Sequence, residues 1–212
     1  KKALYIKGIR LKRNKEYESS KKYLLAAARD GHIRAKRSLG KLYIDNLNEN
    51  KLGIKWLKYA SNENDYFSKY FLYEIHKNNN EYEKALGLAK ELVCLPDSDE
   101  EDFYNLAKIY YETDQYIDYK KAFYNFNVAA NRGHIDSAFY LYEMYKDGKG
   151  VPQNYTLAYM WATIYIAYSE DNENYEKRRS EIDFLEFNLT NKQIAEAQNK
   201  AKQKWSVLKE YT

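Results

Sequence analysis

Apolar residues recur along this chain with a short period nested inside a long one. Leu39, Leu72, Leu106 and Leu141 lie 33, 34 and 35 residues apart, and four residues after each stands Tyr43, His76, Tyr110 or Tyr145. A leucine and a ring at i and i+4 share one helical face. The windows 35–43, 68–76, 102–110 and 137–145 align around these pairs without gaps. After a short polar loop each is followed by a second apolar stripe: Gly53/Trp56/Ala60, Ala85/Leu88/Leu92, Ala122/Phe126/Ala129 and Ala158/Trp161/Tyr165. Those spacings also predict helices. The small residue that opens each second stripe lets two backbones approach, and the larger one a turn later fills the space beyond. Each unit therefore reads as an antiparallel helix hairpin whose open face needs the next hairpin to cover it. A period of this length predicts a solenoid.

The run Asp147-Gly148-Lys149-Gly150-Val151-Pro152-Gln153-Asn154, with Ala158 and Trp161 downstream, resembles the linker and second helix of the Sel-one-like repeat, a relative of the tetratricopeptide repeat. Gly31-His32-Ile33-Arg34-Ala35 and Gly133-His134-Ile135-Asp136-Ser137, preceded by Ala27-Ala28 and Ala129-Ala130, are similar to its inter-repeat corner. Asp45-Asn46-Leu47-Asn48 and Lys77-Asn78-Asn79-Asn80 lack the Gly-x-Gly-Val loop, and Tyr73 and Tyr142 replace the family's usual small residue. The resemblance spans roughly residues 3 to 168 and implies an all-α fold, an α/α superhelix of about five hairpins used for protein binding.

Composition supports helices: 8 Gly and 2 Pro leave little material for a turn-rich β architecture, and Pro96 and Pro152 both fall between predicted helices. The expected layout is one repeat domain over 1–212. It comprises a degenerate first hairpin (1–33), repeats at 34–65, 66–99, 100–134 and 135–168, and a C-terminal cap (169–212). Residues 175–187 continue the helices. Thr190 and Gln193 then form a capping-box pattern ahead of Ile194, Ala197, Ala201, Trp205 and Leu208 at helical spacing, which predicts a closing helix.

The net charge of +4 hides a strong asymmetry. Residues 1–40 carry 13 Lys or Arg against 3 Asp or Glu, whereas residues 61–118 carry 5 against 14. The basic end could hold nucleic acid or an anionic surface through Lys1, Lys2, Arg10, Lys12, Arg13, Arg34 and Arg37. These residues are spread around their helices without a nucleic-acid motif, so the expectation is no nucleic acid, and steering of an acidic protein partner instead. Asp97-Ser98-Asp99-Glu100-Glu101-Asp102 lacks the glycine and terminal glutamate of a calcium loop and is expected to oppose a helix dipole.

Nothing in the sequence assembles a cofactor, metal or catalytic site. His32 and His134 share a repeat position after a glycine expected in the left-handed region, which makes them corner residues. His76 is expected to pack in or near the core, and the single cysteine, Cys94, to be a buried thiol in the run Leu92-Val93-Cys94-Leu95. One cysteine also separates the chain from cysteine-rich members of the family that staple each repeat. The longest apolar stretch, Tyr159 to Tyr168, is about half of a membrane span. A start at Lys1 rather than Met leaves both the bacterial cytoplasm and, through a removed signal peptide, the periplasm open.

By analogy with tetratricopeptide solenoids, the first helix of each hairpin lines a concave face. Counting two before, two after and five after each leucine selects Arg37, Lys41 and Ile44; Tyr70, Glu74 and Lys77; Tyr104, Lys108 and Tyr111; and Phe139, Glu143 and Lys146. Aromatic residues and arginine most often anchor interfaces, although 24 tyrosines also fit simple packing between helices. The leading expectation is a non-catalytic scaffold gripping a peptide or protein, acidic by the charge argument. One alternative is a bacterial immunity protein that neutralises a toxic enzyme. The other is a cell-wall or β-lactam-directed enzyme, as suggested for the cysteine-rich relatives.

Overall fold

A computed structural model describes residues 1–168 and 175–208. Twelve α-helices and no strand occur among them. They group into two compact units, Lys1–Ser98 and the part beginning at Asp99.

The first unit holds α1 (Lys2–Arg13), α2 (Tyr17–Arg29), α3 (Ile33–Asp45), α4 (Asn50–Ser61), α5 (Tyr66–Asn78) and α6 (Tyr82–Leu92). Consecutive helices pack as hairpins, α1 on α2, α3 on α4 and α5 on α6, while α2 on α3 and α4 on α5 join one hairpin to the next. Glycine sets the closest approach. A Cβ on Gly40 would lie 2.9 Å from the Gly53 carbonyl oxygen, and one on Gly53 would lie 2.7 Å from that of Gly40. Gly8 does the same in α1, where a Cβ would come within 2.8 Å of the Leu24 side chain. Residues 1–33 therefore pack as a regular hairpin, with Ser20 donating to the Gly8 carbonyl at 2.8 Å.

The second unit holds α7 (Glu100–Glu112), α8 (Tyr119–Asn131), α9 (Ile135–Asp147), α10 (Tyr155–Tyr168), α11 (Tyr175–Phe187) and α12 (Asn191–Leu208). Helix α10 packs on α9, α11 and α12. Its Tyr159 hydroxyl donates to Glu186 of α11 at 2.8 Å and accepts from Gln198 of α12 at 3.3 Å. The closing helix begins as its sequence predicts: Gln193 N–H donates to Thr190 Oγ1 at 3.3 Å, and Thr190 N–H to Gln193 Oε1 at 2.9 Å. Ala197 and Ala201 are buried; the side chains of Trp205 and Leu208 lie outside the described residues.

The repeat leucines are core residues, all at most 4 % exposed, and Tyr43, His76 and Tyr110 are buried beneath them, with Tyr145 half-buried. In the second helices the buried lines run Gly53, Leu57, Ala60 and Ala85, Leu86, Ala89, Leu92. Trp56 and Leu88 flank them, half-buried. Cys94 departs from expectation and is exposed. Helix α6 ends at Leu92, which takes the last core position, so the helical phase that would have buried the thiol is not continued.

One loop device repeats, and a second occurs once. A left-handed residue precedes a helix N-cap at Lys15, Gly31, Asn48, Asn64, Asn80 and Gly133. Where the Gly-x-Gly-Val loop is missing, Asn48 and Asn80 supply the positive φ, which asparagine tolerates better than most non-glycine residues. Where it is present, Gly150 is required twice over: φ is +75°, and a Cβ would lie 2.3 Å from the Tyr119 carbonyl oxygen at the start of α8.

Candidate binding face

The N-caps of α3, α5, α7 and α9 are His32, Asp65, Asp99 and His134, spaced 33, 34 and 35 residues apart like the core leucines. His32 Nδ1 accepts from Ala35 N–H at 3.2 Å and His134 Nδ1 from Ser137 N–H at 3.3 Å. Asp65 accepts from Ser68 N–H at 2.9 Å, and Asp99 with Asp102 forms a reciprocal capping box. The acidic run at 97–102 thus starts α7 by capping as well as by charge. The histidines are structural parts of the corner.

Three of these caps are held by a side chain from the hairpin before, and each pairing is chemically matched. Arg37 donates through Nη1 to Asp65 Oδ1 and Oδ2 at 2.9 and 3.2 Å, with its guanidinium 4.7 Å from the Phe67 ring centre. Tyr5 stacks on His32, centroids 4.5 Å apart, and Tyr104 on His134 at 4.1 Å. Cation meets carboxylate, and phenol meets imidazole. Arg37 and Tyr104, both selected from sequence as contact residues, therefore also tie one hairpin to the next.

The twelve residues selected by counting from the leucines are all half-buried. In the first unit Tyr70 stacks with Tyr66 and meets Tyr73 and Phe71, while Glu74 accepts from Lys77 at 2.8 Å. Lys41 sits 3.9 Å over the Phe71 ring of α5. Ile44 turns away from this row and packs at the Gly53 position of α4.

In the second unit the face is an aromatic sheet edged by charge. Tyr140 stacks flat on Phe126 at 4.4 Å and donates to Glu112 at 2.5 Å; Tyr111 meets Tyr140 edge-on at 5.2 Å, and Phe139 meets Tyr165 at 5.4 Å. Lys108 pairs with Glu112 at 3.5 Å, and Lys146 donates to the Tyr142 hydroxyl at 3.0 Å. Tyr111 reaches Glu143 at 3.5 Å, and burial lifts the Glu143 carboxyl above the usual range against the pull of Lys146 and Lys149. Burial, reinforced by Asp136, Glu112 and Glu101, pushes the Tyr104 phenol up to about 12. An open cleft of roughly 610 Å³ extends the row between Tyr142, Lys146, Gln153 and Tyr155 on one side and Glu181 and Phe184 of α11 on the other. Tyr140, Lys149 and the cleft escaped the leucine count because they lie one helix position or one loop away from it.

Comparison with solved structures confirms the architecture. The chain superposes with a TM-score of 0.69 on a protective antigen present in uropathogenic Escherichia coli strains that displays an SLR fold, at 20% identity. That match covers 97% of this chain and 45% of the antigen, so this chain spans less than half of its length. It superposes with a TM-score of 0.64 on a Sel1 repeat protein from Oxalobacter formigenes, at 18% identity, covering 87% of this chain and 78% of that one. The fold is that of the Sel1-like repeat (SLR). No protein-family model and no curated protein matches the sequence. Among the described residues no three His, Cys, Asp or Glu side chains gather as a metal-holding group, and no helix is long and apolar enough to cross a membrane.

Proposed function

We propose that the protein is a non-catalytic scaffold that holds a peptide or protein surface against the exposed sides of α3 and α5 in one unit and α7 and α9 in the other. The observation that carries this reading is the recurrence, at the repeat period, of half-buried aromatic and charged side chains where each first helix meets solvent. Such side chains are partly ordered by their neighbours and still present area, so a partner gains contacts at little entropic cost.

Tyr70 and Tyr111 are suitable probes because neither holds a helix cap. Replacing both with alanine should weaken a natural partner captured by the wild type by about 2–4 kcal/mol, the scale of interface hot spots, with helix content retained. Tyr124→Ala, on the outward side of α8 and 64 % exposed, is the comparison. A partner kept by the double variant and lost with Tyr124→Ala would place binding on the opposite face.

A further inference from the structure

In the second unit, the loop at 148–154 that joins α9 to α10 carries one wall of the cleft facing α11. The amide nitrogen of Gln153 is spent twice there, donating to the Lys146 carbonyl at 2.8 Å and to the Tyr155 hydroxyl at 3.2 Å. Its Oε1 is left to accept. Lys146 is committed as well: its ammonium donates to the Tyr142 hydroxyl at 3.0 Å and lies 4.7 Å from the centre of that ring. Asp147, also at the cleft, pairs with Lys149 at 3.3 Å. Across the opening stands Glu181 of α11, half-buried and without a hydrogen bond or ion pair among the described residues. Three residues on, Phe184 is 48 % exposed and meets Tyr155 edge-on at 6.1 Å.

Resting on the scaffold reading above, we propose that this cleft takes an arginine side chain from a basic segment of the partner, its guanidinium stacked at the Tyr155 and Phe184 rings and forked onto Glu181. With Lys146 and Asp147 each engaged by a neighbour, the uncommitted charge at the cleft is a carboxylate, beside a free amide oxygen and two rings. A planar cation with five donors matches all three. A lysine ammonium, compact and strongly hydrated, matches the carboxylate alone. An acidic ligand is the poorer fit, because its carboxylate would lie beside Glu181 and the Gln153 oxygen. The second unit is acidic as a whole, which draws a basic segment toward it.

The test uses the whole chain and a fluorescein-labelled, end-capped octapeptide of alternating arginine and alanine, with lysine and glutamate counterparts, followed by fluorescence anisotropy. Arginine and lysine peptides carry the same charge, so a difference between them reports the site rather than the general field. The wild type should bind the arginine peptide at least about threefold more tightly than the lysine peptide, since only the guanidinium can fork and stack. Glu181→Gln should abolish that preference without lowering the melting temperature, because the carboxylate has no partner to lose among the described residues. Phe184→Ala should reduce it. Asp183→Asn, which removes the same charge from α11 away from the cleft, should leave it intact. Equal binding of the arginine and lysine peptides, a preference that survives Glu181→Gln or is lost equally in Asp183→Asn, or a Glu181→Gln variant that melts clearly lower would each overturn the proposal. So would tighter binding of the glutamate peptide, lost in Lys146→Gln. If a natural partner is lost with the Tyr70 and Tyr111 replacements but kept by Glu181→Gln, the arginine site fails while the scaffold stands; if neither change releases it, both readings fail.

Discussion

Tyr104 stacks on the histidine that caps α9, so its protonation state bears on a helix end as well as on the surface. A phenol whose folded-state pKa lies above its unfolded value contributes stability that is fully present below the unfolded pKa, near 10, and is lost as pH rises through about 12. Tyr140 is shifted in the same direction, by burial and by its bond to Glu112. Thermal melts should therefore fall as pH rises from about 10 through about 12, and Tyr104→Phe should soften that fall while keeping the ring stack. An unchanged alkaline limb in Tyr104→Phe would show that the ring is solvated in the folded state. Cys94 offers a second check at this scale. Being exposed in the turn after α6, its thiol should react with a maleimide in the native protein as fast as in the urea-unfolded chain, within a few fold. Protection by orders of magnitude would return it to the core.

Helix ends decide where each element starts and stops, and here the loops are as repetitive as the core. Gly150→Ala combines a positive φ with a Cβ driven into the α8 backbone, so it should cost at least about 1–3 kcal/mol in urea unfolding. Asn48→Gly, which keeps the left-handed turn and adds no atoms, should change stability by only a few tenths of a kcal/mol. Equal effects would mean that conformation alone, without the close approach at Tyr119, governs both loops. The hairpins themselves were legible in the sequence because leucine, ring and small residue each recur at a spacing tied to one helical face. Left-handed Asn48 and Asn80 were not, since an asparagine in a polar loop looks the same whatever its φ. The match of Arg37 to Asp65 and of Tyr104 to His134 was also hidden, because the partners lie 28 and 30 residues apart and no local spacing links them. Cys94 misled because an apolar run carries no mark of where its helix stops.

At the scale of the whole molecule, charge and packing divide along the same line. The first unit carries 21 Lys or Arg against 12 Asp or Glu, and the second 14 against 19, so the field that meets an approaching partner changes sign between units. Stability should be equally local. Leu141 is fully buried in α9, which packs on α8 of the preceding hairpin and on its own partner α10. Leu141→Ala leaves a cavity between these helices and should cost about 2–5 kcal/mol. In a stack where each hairpin is covered only by its neighbours, that loss is felt first by the helices lining the cavity. Hydrogen exchange of the variant should show amides of α8, α9 and α10 losing protection while those of α1 and α2 keep theirs. A uniform drop across all twelve helices would mean that the chain unfolds as one cooperative block, and the nearest-neighbour account of its stability would have to be abandoned.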